Sequence, residues 1–197
     1  VYNTRMTCLP CDFYLRTAPE VARALLGMRL VRDLDGSRIS GKITETEAYD
    51  GEADLACHAR SGKTTRNAVM YGPPGRAYIY FTYGMHWCLN VVTGAEGSPA
   101  AVLLRAILPL EGLELIVSNR KGLPENKWTD GPAKLCKALA IDGSLYGAAL
   151  CETGSPLRIE QDKPVTDGEV VVSPRVGIQY APEPWLSKPW RFRLMSE

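Results

Sequence analysis

Polar and apolar positions in the first half of the chain follow one helical pattern and then several strand patterns. Thr17-Ala-Pro-Glu20 has the form of a capping box, in which the threonine and glutamate side chains each satisfy a free N–H of the other's backbone. Val21, Ala22, Leu25 and Leu26 follow at helical spacing, and Gly27 is the expected stop. Leu30 to Leu34, the pair Asp35-Gly36, and Arg38 onward predict a hairpin that runs directly into Gly41-Lys-Ile-Thr-Glu-Thr-Glu-Ala-Tyr49. On a strand, Ile43, Glu45, Glu47 and Tyr49 would share one face and Thr44, Thr46 and Ala48 the other. A half-exposed strand with its polar side in water explains that alternation most simply. Two acids and an aromatic ring on one face also suit the floor of a site, if the rest of the chain covers it.

Downstream, Pro73-Pro-Gly75 launches Arg76 to Tyr83, where Tyr78 and Tyr80 lie on one face, and Gly84 allows reversal into His86 to Val92. Tyr83 and Met85 therefore fall at a hairpin tip, where they either fold back onto the protein or stand exposed as a wedge of the kind that enters base steps. Ala100 to Leu108 is apolar on both faces except for Arg105. A buried guanidinium without a partner would cost several kcal/mol, so Arg105 is expected to meet Glu47 or Glu45 on a neighbouring strand. Pro109 to Ser118 has helical spacing, and Asp130-Gly-Pro132 opens a second helix over Ala133 to Ala140, with Lys134 in its first turn as a possible anion contact. Four short strands are predicted after that: Leu157 to Glu160, Glu169 to Val172, Arg175 to Ile178 and Trp190 to Leu194. The sum is an α+β fold with a curved, mainly antiparallel sheet, helices at its side and a protruding β-hairpin. Residues 1–12 read as an N-terminal arm and 13–197 as one domain.

Composition narrows the class without identifying it. With 197 residues, 45% hydrophobic and 23% charged, the chain can bury a full core and is not disordered. No apolar run approaches membrane-spanning length and no signal-peptide pattern opens the chain, so a monomeric cytoplasmic protein with no membrane partner is expected. A net charge of +1 does not announce nucleic acid, although a local basic face remains open. Such a face is offered by His58-Ala-Arg60-Ser-Gly-Lys63-Thr-Thr-Arg66, where basic and hydroxyl side chains suit either a solvated loop or phosphate contacts. The six cysteines fall short of a disulfide scaffold; Cys57, Cys88, Cys136 and Cys151 sit in element-like segments and are expected to be reduced, so that no staple is needed. Cys8-Leu-Pro-Cys11 lacks two further ligands, so neither metal nor cofactor is expected.

A carboxylate beside an arginine, tyrosines facing the same space, a histidine at a loop, an apolar hairpin tip and a basic loop suit a flat heterocycle drawn out of a duplex. Two other readings compete. Glu45 and Glu47, about 7 Å apart on one face, would fit an inverting carbohydrate glycosidase. The tyrosines alone would fit a non-catalytic binder of single-stranded nucleic acid.

Glu45-Thr-Glu47-Ala-Tyr49, His58, Tyr78-Ile-Tyr80-Phe-Thr-Tyr83-Gly-Met85, Asn90, Leu103-Leu-Arg105, Gly131-Pro-Ala-Lys134-Leu and Arg175-Val-Gly177, taken in order, resemble the alkyladenine (3-methyladenine, or methylpurine) DNA glycosylase family. The resemblance spans about Leu15 to Leu194. It implies a monofunctional enzyme that flips alkylated or deaminated purines from damaged double-stranded DNA and starts base excision repair, with a bacterial, nucleoid-associated setting. It implies that Glu47 activates a water, helped by Arg105 and the backbone carbonyl of Val176. Tyr49 and Tyr80 would sandwich the base, His58 would donate a hydrogen bond to it, and Asn90 would crowd the amino group of guanine. Tyr83 would fill the gap left in the duplex, with Met85, Lys63, Arg66 and Lys134 also on the DNA. Electron-rich tyrosine faces would favour a cationic base by about 0.5–2 kcal/mol. Ala133 and His86 depart from animal members, which carry serine and tyrosine there.

Overall fold

The computed structural model describes residues 7–195. Its strands form one curved, unclosed sheet in which every strand pairing is antiparallel, organised by the longest strand, β2 (Ser37–Asp50). In chain order the others are β1 (Arg29–Leu34), β3 (Ala77–Thr82), β4 (His86–Thr93), β5 (Ala100–Glu111), β6 (Leu157–Glu160), β7 (Val170–Ser173) and β8 (Arg191–Leu194). β5 runs along one edge of β2, while the other edge is shared by β1 over its first half and β8 over Glu45 to Glu47. From β5 the sheet continues to β4 and β3; β6 follows β1, and β7 follows β8.

Local chemistry accounts for the predicted elements. Asp35 and Gly36 both have positive φ, 49° and 77°, which is the turn whose twist matches its flanking strands. Helix α1 (Ala18–Ala24) carries the full Thr17/Glu20 capping box, and α3 (Pro132–Ala138) begins at its proline. Val102 and Leu104 of β5, Ala48 of β2 and Leu89 of β4 join Val21 and Ala22 of α1 and Leu135 of α3 in the main core. The alternate β5 residues Ala101, Leu103 and Arg105 line a cavity on the other face. A strand covered on both sides has to be apolar on both, which is why β5 reads as a continuous run.

Four expectations are corrected. Pro109 and Leu110 extend β5 instead of opening a helix, because Pro109 pairs opposite Gly41 at an irregular step of the ladder; α2 (Leu113–Asn119) starts only after Gly112. Arg175 to Ile178 forms no strand, since Gly177 bends the backbone at φ 79° and Arg175 is drawn into the interior. Ile43 does not share a face with Glu45: pairing with β5 slips between them, so Ile43 joins the main core with Ala48 while Glu45, Glu47 and Tyr49 turn to the cavity side. Cys151 is not a free thiol. It forms a disulfide with Cys11, Cα atoms 5.1 Å apart, whereas Cys57, Cys88 and Cys136 are free and buried.

The described part of the arm lies along β6, where Leu9 N–H donates to the Ile159 carbonyl and Gln161 N–H to that of Thr7. Residues 1–6 fall outside the described residues. No helix among the described residues is long and apolar enough to cross a membrane.

Gly41 is the tightest point of the central pair. A Cβ there would meet Ile107 Cδ1 at 2.7 Å and the Leu108 carbonyl oxygen at 2.8 Å, and the latter is backbone that cannot step aside. Gly41→Ala is expected to destabilise the fold by about 1–3 kcal/mol. Gly154→Ala, in open space, should stay within about 0.5 kcal/mol. Urea unfolding of the two variants checks the contrast.

Candidate active site

One transverse row of the sheet sets out the site. Tyr78, Asn90, Leu103, Glu47 and Arg191 are successive partners across β3, β4, β5, β2 and β8, so their side chains rise from adjacent strands. Above them lies a cavity of about 290 Å³ walled by Tyr49, His58, Tyr80, Arg105 and Val176. That volume sits at the small end of ligand sites, which suits a single heterocycle better than a chain of sugars.

Glu47 lies beneath the cavity, behind Tyr49, Arg105 and Val176 of its lining, with 0% of its surface exposed. Its Oε2 accepts from Tyr49 Oη at 2.9 Å and from Arg105 at 3.2 Å, and its Oε1 accepts the Val176 N–H at 2.7 Å. The contact with Val176 is thus made by the amide. Burial raises the Glu47 carboxyl above its usual range, and Arg105, Val176 and Tyr49 only partly offset this. Glu45 behaves oppositely. Burial would raise it too, but its Oε1 accepts from Arg105 at 2.6 Å and Arg191 at 2.8 Å, and these two guanidinium groups hold it below the usual range. The paired acids therefore differ in kind: Glu45 is a fixed counter-ion, whereas burial raises the proton affinity of Glu47.

The aromatic walls are coupled. His58 Nδ1 lies 2.9 Å from Tyr78 Oη, and its ring meets Tyr80 edge-on with centroids 4.6 Å apart. One side of His58 is open at the rim, yet loss of water around its ring, followed by Arg66 and Arg60, lowers its pKa to about 4. The imidazole is therefore neutral at pH 7. Asn90 is buried and donates its amide to the Tyr78 carbonyl at 3.0 Å.

Buried Asn67 shapes the basic loop by donating to the carbonyls of His58 and Gly62 and accepting Thr64 N–H, which leaves Lys63 and Arg66 exposed. Neither is a bare surface cation: Lys63 lies over Tyr71 and Arg66 over Tyr80. Lys134 is held by Asp130 at 2.8 Å, away from the cavity wall, which is reached only by Pro132 of α3. At the hairpin tip Tyr83 is 87% and Met85 66% exposed. Tyr83 also has φ 51°, a left-handed conformation that a bulky side chain seldom adopts.

Three contributors went unassigned in the sequence. Arg191 supports Glu45; Arg175 binds both oxygens of buried Asp54 and lies 4.7 Å over the Tyr49 ring; Tyr180 closes a wall while donating to the Ala56 carbonyl. Only Arg175 gave a signal, as an arginine in a short apolar segment.

A buried, pinned carboxylate thus lies under a box of tyrosines sized for one planar heterocycle. Consistent with this, residues 12–197 match the family model of methylpurine-DNA glycosylase. The chain is 50% identical over 188 residues to a protein of Methanocella arvoryzae, covering 95% of this chain and 92% of that one. It is 49% identical to one from Carboxydothermus hydrogenoformans, with 94% of each covered, and 47% to one from Myxococcus xanthus, with 94% and 89% covered. All three carry the name "Putative 3-methyladenine DNA glycosylase". The chain belongs to the methylpurine-DNA glycosylase family: it is a DNA glycosylase, a hydrolase of N-glycosyl bonds that serves base excision repair.

Tyr83 has little packing to lose. Tyr83→Ala is expected to change stability by no more than about 0.5 kcal/mol, against about 3–5 kcal/mol for a buried aromatic. A calorimetric scan showing the larger loss would place the ring in the core.

Proposed function

We propose that the enzyme acts as a monomer in the cytoplasm on double-stranded DNA, turns a damaged purine out of the stack into the cavity, and uses Glu47 as general base for hydrolysis. The observation that carries this reading is the bonding of Glu47. A carboxylate offers about four lone-pair sites, and three are taken, two on Oε2 and one on Oε1. The remaining site on Oε1, beside Val176, suits a water proton. As the water oxygen bonds to the sugar C1′, Glu47 takes its proton and the C1′–N9 electron pair leaves with the purine. Arg105 and the Val176 N–H keep the carboxylate aimed and ionised.

Tyr49 and Tyr80 supply the stacking faces. Because the imidazole of His58 is neutral, a Tyr78 hydroxyl donating to Nδ1 leaves the ring proton on Nε2, where it can be given to a base acceptor. Buried Asn90, its amide nitrogen held by the Tyr78 carbonyl, stands where a guanine amino group would need room. Tyr83 and Met85 would enter the vacated stack, and the strained, exposed backbone at Tyr83 supports that use. Lys63, Arg66 and Lys134 would meet phosphates, Lys134 after release from Asp130. No lysine lines the cavity among the described residues, so reaction through a Schiff base has no candidate and the product would be an abasic site.

Glu47→Gln should keep affinity for damaged duplex while slowing base release at least about a hundredfold. In the wild type the base works only when ionised, and burial raises its proton affinity. Activity should therefore fall on acidification with a midpoint above the ordinary glutamate value of 4.5. Single-turnover release of free purine against pH measures both, and near-normal release by the variant would sink the mechanism.

Asn90→Ala should allow slow excision of undamaged guanine. Chromatography of bases released from unmodified duplex reads this directly, and an unchanged background in a folded variant would move selectivity elsewhere.

A further inference from the structure

Both rings offered to the base already carry a guanidinium. Arg175 lies 4.7 Å over Tyr49 and Arg66 lies 5.0 Å over Tyr80, measured to the ring centroids. The two cations are not equivalent. Arg175 is buried and its charge is met by both oxygens of Asp54, just as Glu45 and Glu47 are met by Arg105 and Arg191. Arg66 is exposed, its side chain donates to the Phe81 carbonyl at 3.4 Å and comes near the Tyr78 hydroxyl, and it forms no ion pair among the described residues. Tyr80 is the wall between them and the base: one side lines the cavity, and the other, with Arg66, lines an outer groove containing Phe81, Trp87 and Tyr146. The charge of Arg66 is felt around the cavity, where it works to lower the proton affinity of His58, Tyr78 and Tyr80.

We infer that Arg66, acting through Tyr80 without touching the base, is a specificity-determining residue that favours purines leaving with developing negative charge over purines that enter as cations. The inference rests on the base-release reading above and gives its pocket a charge preference. A base stacked on Tyr80 at about 3.5–4 Å would sit roughly 9 Å from the guanidinium carbon, within one Debye length at 0.1 M salt and with a ring, not water, in between. As the C1′–N9 bond breaks, its electron pair goes to the purine and the water proton to Glu47. A neutral purine then gains negative charge, which Arg66 stabilises relative to the stacked duplex. A cationic purine arrives at neutrality, so relative to the stacked duplex Arg66 gives it nothing.

The test sets two duplexes in competition, identical except that one holds 7-methylguanine and the other hypoxanthine, each opposite cytosine. Wild type, Arg66→Gln and Arg66→Lys are compared. The ratio of bases released reports relative kcat/KM, so any weakening of phosphate binding common to both duplexes cancels. The hypoxanthine to 7-methylguanine ratio is expected to fall about three- to tenfold in Arg66→Gln, to stay near wild type in Arg66→Lys, and to depend less on Arg66 as salt is added. An unchanged ratio with both rates lowered would make Arg66 a backbone contact and nothing more, and would overturn the inference. So would a ratio that rises, or a wild type that releases only the cationic base. Glu47→Gln, run alongside, separates the two claims: if it releases both bases normally, the general-base reading fails whatever Arg66 does.

Discussion

The burial of the Glu47 carboxylate is the constraint on which the rest depends. Left without donors, an ionised group so placed would cost several kcal/mol, comparable with the stability of a domain. Its three donors come from three places: Tyr49 two residues on in β2, Arg105 from β5, and the Val176 amide from a segment 129 positions later. The charge is tolerable only when the β2–β5 pair and the C-terminal segment are all in place. Neighbouring Glu45 repeats the demand and recruits β8 through Arg191. Completing the fold and completing the site are one event.

That dependence explains which parts were legible in the sequence. A lone arginine in an apolar strand announces that a carboxylate must meet it, and Arg105 indeed meets both Glu45 and Glu47. Period-two alternation placed Glu47 with Tyr49 and Tyr78 with Tyr80, and Gly84 marked the hairpin tip. The slip at Ile43 was not visible, because a bulge leaves no residue-type signal in an otherwise regular strand. Arg191 and the Val176 amide were beyond local reasoning, since nothing in a four-residue strand or a backbone N–H states which distant carboxylate it will find. The same holds for the pairing of Cys11 with Cys151, 140 positions away.

Charge around the cavity is distributed unevenly. Acids beneath the floor are matched by arginines at contact distance, so a cationic base would find little unspent negative charge there. Each of the two tyrosine rings also carries a guanidinium of the protein itself. His58, at the rim of the cavity, is neutral at pH 7.

The Cys11–Cys151 bond divides the molecule in a way that the sheet order hides. Topologically the chain becomes a covalent ring with a tail. The ring holds Glu47, Tyr49, His58, Tyr80, Asn90 and Arg105, and the tail holds Val176 and Arg191, which complete the coordination of the two acids. Exchange of segments between relatives therefore has a natural seam after residue 151. A transplanted tail would bring the backbone donor and the counter-ion together while leaving every aromatic wall from β3 and the adjoining loop untouched.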